Sequence, residues 1–207
     1  MSACSVCDCF AVLDFEATCD EKQNPRPREV IEFPIVLVDA RTLSVVDAFR
    51  TYVRPVHHPR LTAFCTQLTG IEQDRVDGAP TWCEALARAQ AWLDERFAEA
   101  GFRRCLFVTC GDWDLKSMII AQCNTAGCDV PERFRRWLNI KNLFQSVVGK
   151  PAHSMPGMLE ELSLPLQGRH HSGLDDSHNI ASILVALVRR VGEVDGIPES
   201  MLSHSIG

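Results

Sequence analysis

The chain has 207 residues, 46% of them hydrophobic, and carries a formal net charge of −6. That size and apolar fraction suit one domain with a sizeable core, and the acidic balance argues against a protein that coats nucleic acid through global electrostatics, leaving room only for a local basic track. No stretch approaches the ~18 consecutive apolar residues of a membrane span and the N-terminus lacks the pattern of a signal peptide, so a soluble intracellular protein, cytoplasmic or nuclear, is expected.

Residues 1–9 form a short cysteine-containing segment in which Cys4, Cys7 and Cys9 are spaced C-x2-C-x-C. A second pair at finger-like spacing does not follow, so reduced thiols are expected in place of a zinc site. FAVLDF at 10–15 is expected to be a buried strand, and REVIEFPIVLVDA with TLSVVDAFRTYV two more, joined by a turn near Arg41. Pro34 suits an edge or a bulge better than a fully paired centre. The polar, proline-rich run at 20–29 is expected to be a surface loop.

Leu61, Phe64, Cys65 and Leu68 follow helical spacing as far as Thr69-Gly70. Thr81 with Glu84 is a capping-box signature for a longer helix with Leu86, Ala89, Leu93 and Phe97 on its buried stripe and Gly101 at its end. CLFVTC at 105–110 predicts a strand, followed by a helix over 114–126. After a basic segment around Trp137, a final long helix places Ile180, Ile183, Leu184, Leu187, Val188 and Val191 on one face, and the residues from 194 are expected to fray. Strands and helices in this order predict an α/β domain with a mixed sheet flanked by helices.

Alternate residues of a strand share a face, so Asp14 and Glu16 leave the end of the first strand together. Paired carboxylates repel unless cations hold them. Asp176 lies four residues before Ile180 and seven before Ile183, on the apolar face of the last helix, where a carboxylate needs a partner. Asp175 points elsewhere and is expected to cap the helix. Helical phase selects Asp114 as a fourth carboxylate and leaves Asp112 as a helix cap. His170 and His171 precede Asp176 by six and five residues, and either could take a proton near neutral pH. Arg133, Arg135, Arg136 and Lys141 could track a nucleic-acid backbone, although a charge run is more often a solvated face.

Four motifs stand in order along the chain: DFEAT at 14–18, LTGI at 68–71, GDWD at 111–114 and HSGLDDSHNI at 171–180. Together they resemble the DEDDh 3′-5′ exonucleases, and among these the histone-mRNA 3′-exonuclease and enhancer-of-RNA-interference exoribonucleases. The resemblance implies an RNase H-like exonuclease domain over 10–193, with Asp14, Glu16, Asp114 and Asp176 as metal ligands. It also selects His171 as general base, because the family's histidine stands five residues before the last aspartate. The group usually has proline where His170 stands and often lysine where His178 stands.

The implied reaction is hydrolysis at RNA 3′ ends, single-stranded or with short overhangs, releasing nucleoside 5′-monophosphates in small-RNA, rRNA or mRNA processing. Two divalent cations, Mg²⁺ or Mn²⁺, about 4 Å apart would serve it. By the same resemblance the Leu68-Thr69 turn wedges against the terminal base and the backbone of Glu16 and Ala17 meets the 3′ hydroxyl. Phe15 and Trp113 are candidates for apolar contact nearby, with a core role as the alternative for Trp113. A deoxyribonuclease and a catalytically silent RNA-binding module are the competing readings; protein partners are not legible.

Overall fold

Buried β-branched and aromatic residues near the N-terminus build the centre of a mixed sheet, and the computed structural model describes residues 7–192, 197 and 201–204 of the chain. Its strands are β1 (Cys9–Val12), β2 (Glu16–Ala17), β3 (Val30–Asp39), β4 (Ser44–Tyr52), β5 (Cys105–Thr109), β6 (Arg136–Asn139) and β7 (Leu202–His204). β3 pairs antiparallel with β4 on one side and with β1 and β2 in succession on the other. β1 then pairs parallel with β5 and β5 parallel with β6, while β7 closes the far edge antiparallel to β6.

The helices are α1 (Ala63–Thr69), α2 (Gln73–Asp77), α3 (Trp82–Ala100), α4 (Ile119–Ala126), α5 (Ile140–Val148), α6 (Met155–Glu161) and α7 (Gly173–Val191). Alternation along the strands divides the core into two layers. Phe10, Val12, Val36 and Val108 face α5, α6 and the Ile180, Ile183, Leu184 and Leu187 stripe of α7. Ala11, Leu13, Phe33, Ile35 and Phe107 face Leu86, Ala89 and Leu93 of α3, Leu115 and Met118 in the turn before α4, and Ile119 at its start. The capping box forms as expected, with Thr81 and Glu84 bonded reciprocally, and Gly101 ends α3 at φ 72°.

Four expectations need correction. The strand expected over 10–15 is broken: pairing to β3 stops at Val12 and resumes at Glu16. Pro34 is interior, paired with Arg50 of β4, and tolerated because it lies opposite that break. Since Val53 N donates to Ile31 O, Pro34 and Arg50 form a non-hydrogen-bonded pair, and the proline's missing N–H falls where no ladder partner stands. The basic segment around Trp137 contains a core strand: Trp137 is fully buried, and the flanking Arg133 and Arg135 pair at the surface with Asp94 and Glu132. The expected fraying tail contains β7, whose Ser203 also reaches Asp112.

The cysteines separate in the same way. None of the nine described is in a disulfide. Cys7 packs into the α7 layer and Cys9 into the α3 layer. Cys4 lies outside the described residues.

Candidate active site

β1 and β5 run parallel, so their carboxyl ends lie side by side, and the site is built where they stop. Asp14 stands in the gap between β1 and β2, and Glu16 opens β2. Asp114 follows β5 in a π-helical turn, Trp113–Met118, that leads into α4. Its Oδ1 accepts the Phe15 N–H at 2.9 Å, which ties the turn to the break in the first strand. Asp176 lies in the first turn of α7, 2% exposed. Ligand oxygens of Asp14, Glu16 and Asp176 come within 4.8 Å of one another.

These carboxyls are poorly compensated. Burial, then Asp114, Asp176 and Glu32, push the Asp14 carboxyl well above the ordinary carboxylate range. Burial and Asp14 raise Glu16 to about 10. Asp114 rises to about 6 through burial, against the pull of its bond to Phe15 N–H, and burial also raises Asp176. Clustered buried oxygens of like charge form a donor set suited to a hard divalent cation, which would replace the protons they otherwise hold.

The loop before α7 is pinned at several points. Gln167 N–H donates to the Asn179 side chain and Asn179 Nδ2 donates back to Gln167 O, both at 2.9 Å. Asp175 lies in the first turn of α7, as expected of an acidic residue at a helix start, and also accepts the Arg169 N–H at 2.9 Å, which fastens this loop to the helix. His171 N–H donates to Asp176 Oδ2 at 2.8 Å, holding His171 at φ 67°, a conformation that L side chains rarely adopt. Its ring stacks on His170 at 3.9 Å between centroids. Burial and the His170 charge lower the His171 pKa below its ordinary value, keeping the imidazole neutral and able to accept a proton near neutral pH.

The flanking candidates divide. Leu68 is partly exposed, whereas Thr69 is buried with its hydroxyl donating to Cys65 O. Arg169 binds the end of α1 through the carbonyls of Gln67 and Leu68. Trp113 is 38% exposed under the Arg28 guanidinium, which excludes the core role considered for it. The Phe15 side chain, by contrast, is buried against Phe33 and Trp82 and offers no face to a ligand; its backbone N–H is what reaches the site, at Asp114. Asp112 accepts from Trp137 Nε1 and Ser203 Oγ and makes no side-chain bond to its own helix, so its expected capping role is corrected.

Three further groups bear on the site: one the sequence offered as an alternative to His171, and two whose place here it did not show. His170 approaches Asp176 at 3.1 Å through Nδ1. Lys141, on the first turn of α5, opposes the rise in the Asp14 pKa. Glu32 sits beneath the start of α7. A double histidine signalled the first; nothing local signalled the others, because β3 and α5 meet the site only through the sheet order.

Residues 11–184 match the RNase T family, described as exonuclease. The chain is 45% identical to ERI1 exoribonuclease 3 of Mus musculus over 182 residues, covering 87% of this chain and 54% of that protein. It is 37% identical to 3′-5′ exoribonuclease 1 of Mus musculus over 222 residues, covering 96% and 64% respectively. The chain thus spans about half to two thirds of the length of these curated relatives. The solved nuclease domain of 3′hExo bound to rAMP, described as a DEDDh family member, superposes with a TM-score of 0.84 at 37% identity, covering 90% of this chain and 94% of that one. The mixed sheet with its flanking helices is accordingly the RNase H-like fold of the DEDDh exonucleases, and this chain belongs to the RNase T exonuclease family.

Proposed function

We propose that the protein is a metal-dependent 3′-5′ exoribonuclease that hydrolyses the terminal phosphodiester of an RNA 3′ end and releases a nucleoside 5′-monophosphate. The observation that carries this reading is the convergence of Asp14, Glu16 and Asp176 within 4.8 Å, with Asp114 bonded to the adjoining backbone. Relatives named as exoribonucleases support RNA as the substrate class.

Asp14, Glu16 and Asp176 would hold the first divalent cation, with Asp114 serving a second; Mg²⁺ and Mn²⁺ suit all-oxygen donors of this kind. Once bound, such cations polarise the scissile phosphate and favour deprotonation of the attacking water. The imidazole of His171 accepts that proton, for which its lowered pKa prepares it. Asp176 holds the His171 backbone and so sets where the ring stands. The Glu16 and Ala17 backbone borders the place for the 3′ hydroxyl, the α1 end at Leu68-Thr69 closes the far side of the terminal base, and Trp113 offers an exposed ring beside Asp114. Contacts of this kind read a backbone end and a base face without demanding a sequence.

The test is incubation of the full chain with 5′-labelled single-stranded RNA and with DNA of matching sequence, with Mg²⁺ or Mn²⁺ and with chelator. The expected result is stepwise shortening of RNA from its 3′ end that needs metal and is abolished in Asp14→Asn. Faster degradation of DNA would replace the substrate class, and intact RNA that still binds without metal would replace catalysis with a silent binding module.

A further inference from the structure

Glu32 is a fully buried carboxylate that the proposed chemistry does not use. It lies on β3, on the face covered by α7, and its oxygens accept N–H bonds from the first two residues of that helix, Gly173 at 3.1 Å and Leu174 at 3.2 Å. Arg50, on the neighbouring strand β4, pairs with it at 2.8 Å through Nε. Three elements therefore meet at one buried charge.

The fit around Gly173 shows how closely this joint is made. A Cβ at that position would lie 2.7 Å from the backbone oxygen of Asp14, 3.2 Å from Pro34 Cγ and 3.3 Å from Glu32 Cδ. α7 consequently starts in direct contact with the residue at the centre of the carboxylate cluster. The apolar stripe farther along the helix holds it against the sheet, but a small slide along the axis is opposed there only by packing contacts. Directed bonds from a charge to two terminal N–H groups resist it strongly, and the helix N-terminus favours an anion there. Asp176 is three residues beyond Gly173, less than one helical turn from the clamp.

We propose that Glu32, held by Arg50, is a positioning residue that sets the axial register of α7 and thereby delivers Asp176 to the cation cluster formed with Asp14 and Glu16. This inference rests on the metal-dependent reading of that cluster. Glu32 touches neither substrate nor cation in this role; it acts through the helix. Supporting groups around metal ligands typically govern affinity by roughly 10–100-fold.

Mn²⁺ affinity of the 207-residue chain, measured by calorimetric titration, provides the test, with RNA KM and kcat recorded in parallel. Glu32→Gln is expected to weaken Mn²⁺ binding by roughly 10–100-fold, to change KM for RNA less than about twofold, and to regain part of its kcat at high metal. Arg50→Gln, which leaves the carboxylate but frees it from β4, is expected to move Mn²⁺ affinity the same way by less. Leu93→Ala in the opposite core layer is the control for lost stability. If Glu32→Gln and Leu93→Ala lower the melting temperature alike while both keep wild-type Mn²⁺ affinity, Glu32 is merely structural and the proposal falls. Should Glu32→Gln fail to fold, unchanged Mn²⁺ affinity in Arg50→Gln overturns it. A wild-type protein that binds no Mn²⁺ overturns the metal reading itself, and the inference with it.

Discussion

His171 combines an unusual backbone with a lowered pKa, and both trace to named neighbours: the Asp176 oxygen that takes its N–H and the His170 ring stacked on it. As the proton acceptor it must be neutral, so activity is expected to rise with pH through a single protonation lying below the ordinary imidazole value of 6.5. Removing the ring in His171→Ala should lower kcat by roughly 10²–10⁴-fold and abolish that acid limb, as read from kcat against pH with metal saturating. An unchanged limb in the variant would assign the titration to another group. His170→Pro, the residue usual in the resembled group, removes both the stacked ring and the contact to Asp176. Its expected effect is to move the acid limb upward toward the ordinary imidazole value, because the neighbouring positive charge no longer depresses it.

At the scale of elements, Arg169 joins the loop bearing His171 to the end of α1, where its guanidinium occupies the carbonyls of Gln67 and Leu68 above Gly70. If that α1 end seats the terminal base, Arg169→Ala should raise KM for RNA several-fold while leaving Mn²⁺ affinity intact; a fall in Mn²⁺ affinity instead would place Arg169 with the carboxylates. Much of this architecture was legible in advance. The α3 capping box, the apolar stripe of α7 and the choice of Asp176 over Asp175 all follow from helical phase, a local signal that packing preserves. β6 was not legible, because four residues containing two surface-type side chains, Arg136 and Asn139, carry too little alternation to announce a strand. The break at Asp14 was hidden for a different reason: the run FAVLDF is apolar enough to continue as a strand, and only the partner's Pro34 and the bond from Phe15 N–H to Asp114 show why it does not. Glu32 and Lys141 stayed invisible because their proximity to Asp14 is created by sheet order, which no short window encodes.

Across the whole molecule, the concentration of buried carboxyls makes stability depend on pH and metal together. Asp14, Glu16, Asp114 and Asp176 all have folded-state pKa values raised above their ordinary range, reaching about 6 for Asp114 and about 10 for Glu16. Without metal, the folded state therefore binds more protons than the unfolded chain. The stability these groups contribute is fully present below their unfolded pKa values and is lost as pH rises through the folded ones. A divalent cation takes the place of those protons, so the difference in melting temperature between Mg²⁺ and chelator should be small at about pH 5 and larger at about pH 8. A difference that does not change with pH would mean the cation binds elsewhere. The exposed tryptophan has an optical consequence. Of the four tryptophans, Trp82 and Trp137 are almost wholly buried and Trp92 partly so, whereas Trp113 lies 38% exposed, one residue from Asp114 and beneath a guanidinium. A soluble quencher should meet that indole before the buried two, and a nucleobase or cation arriving beside it should alter its emission, giving the protein an intrinsic fluorescent reporter of occupancy at its own site.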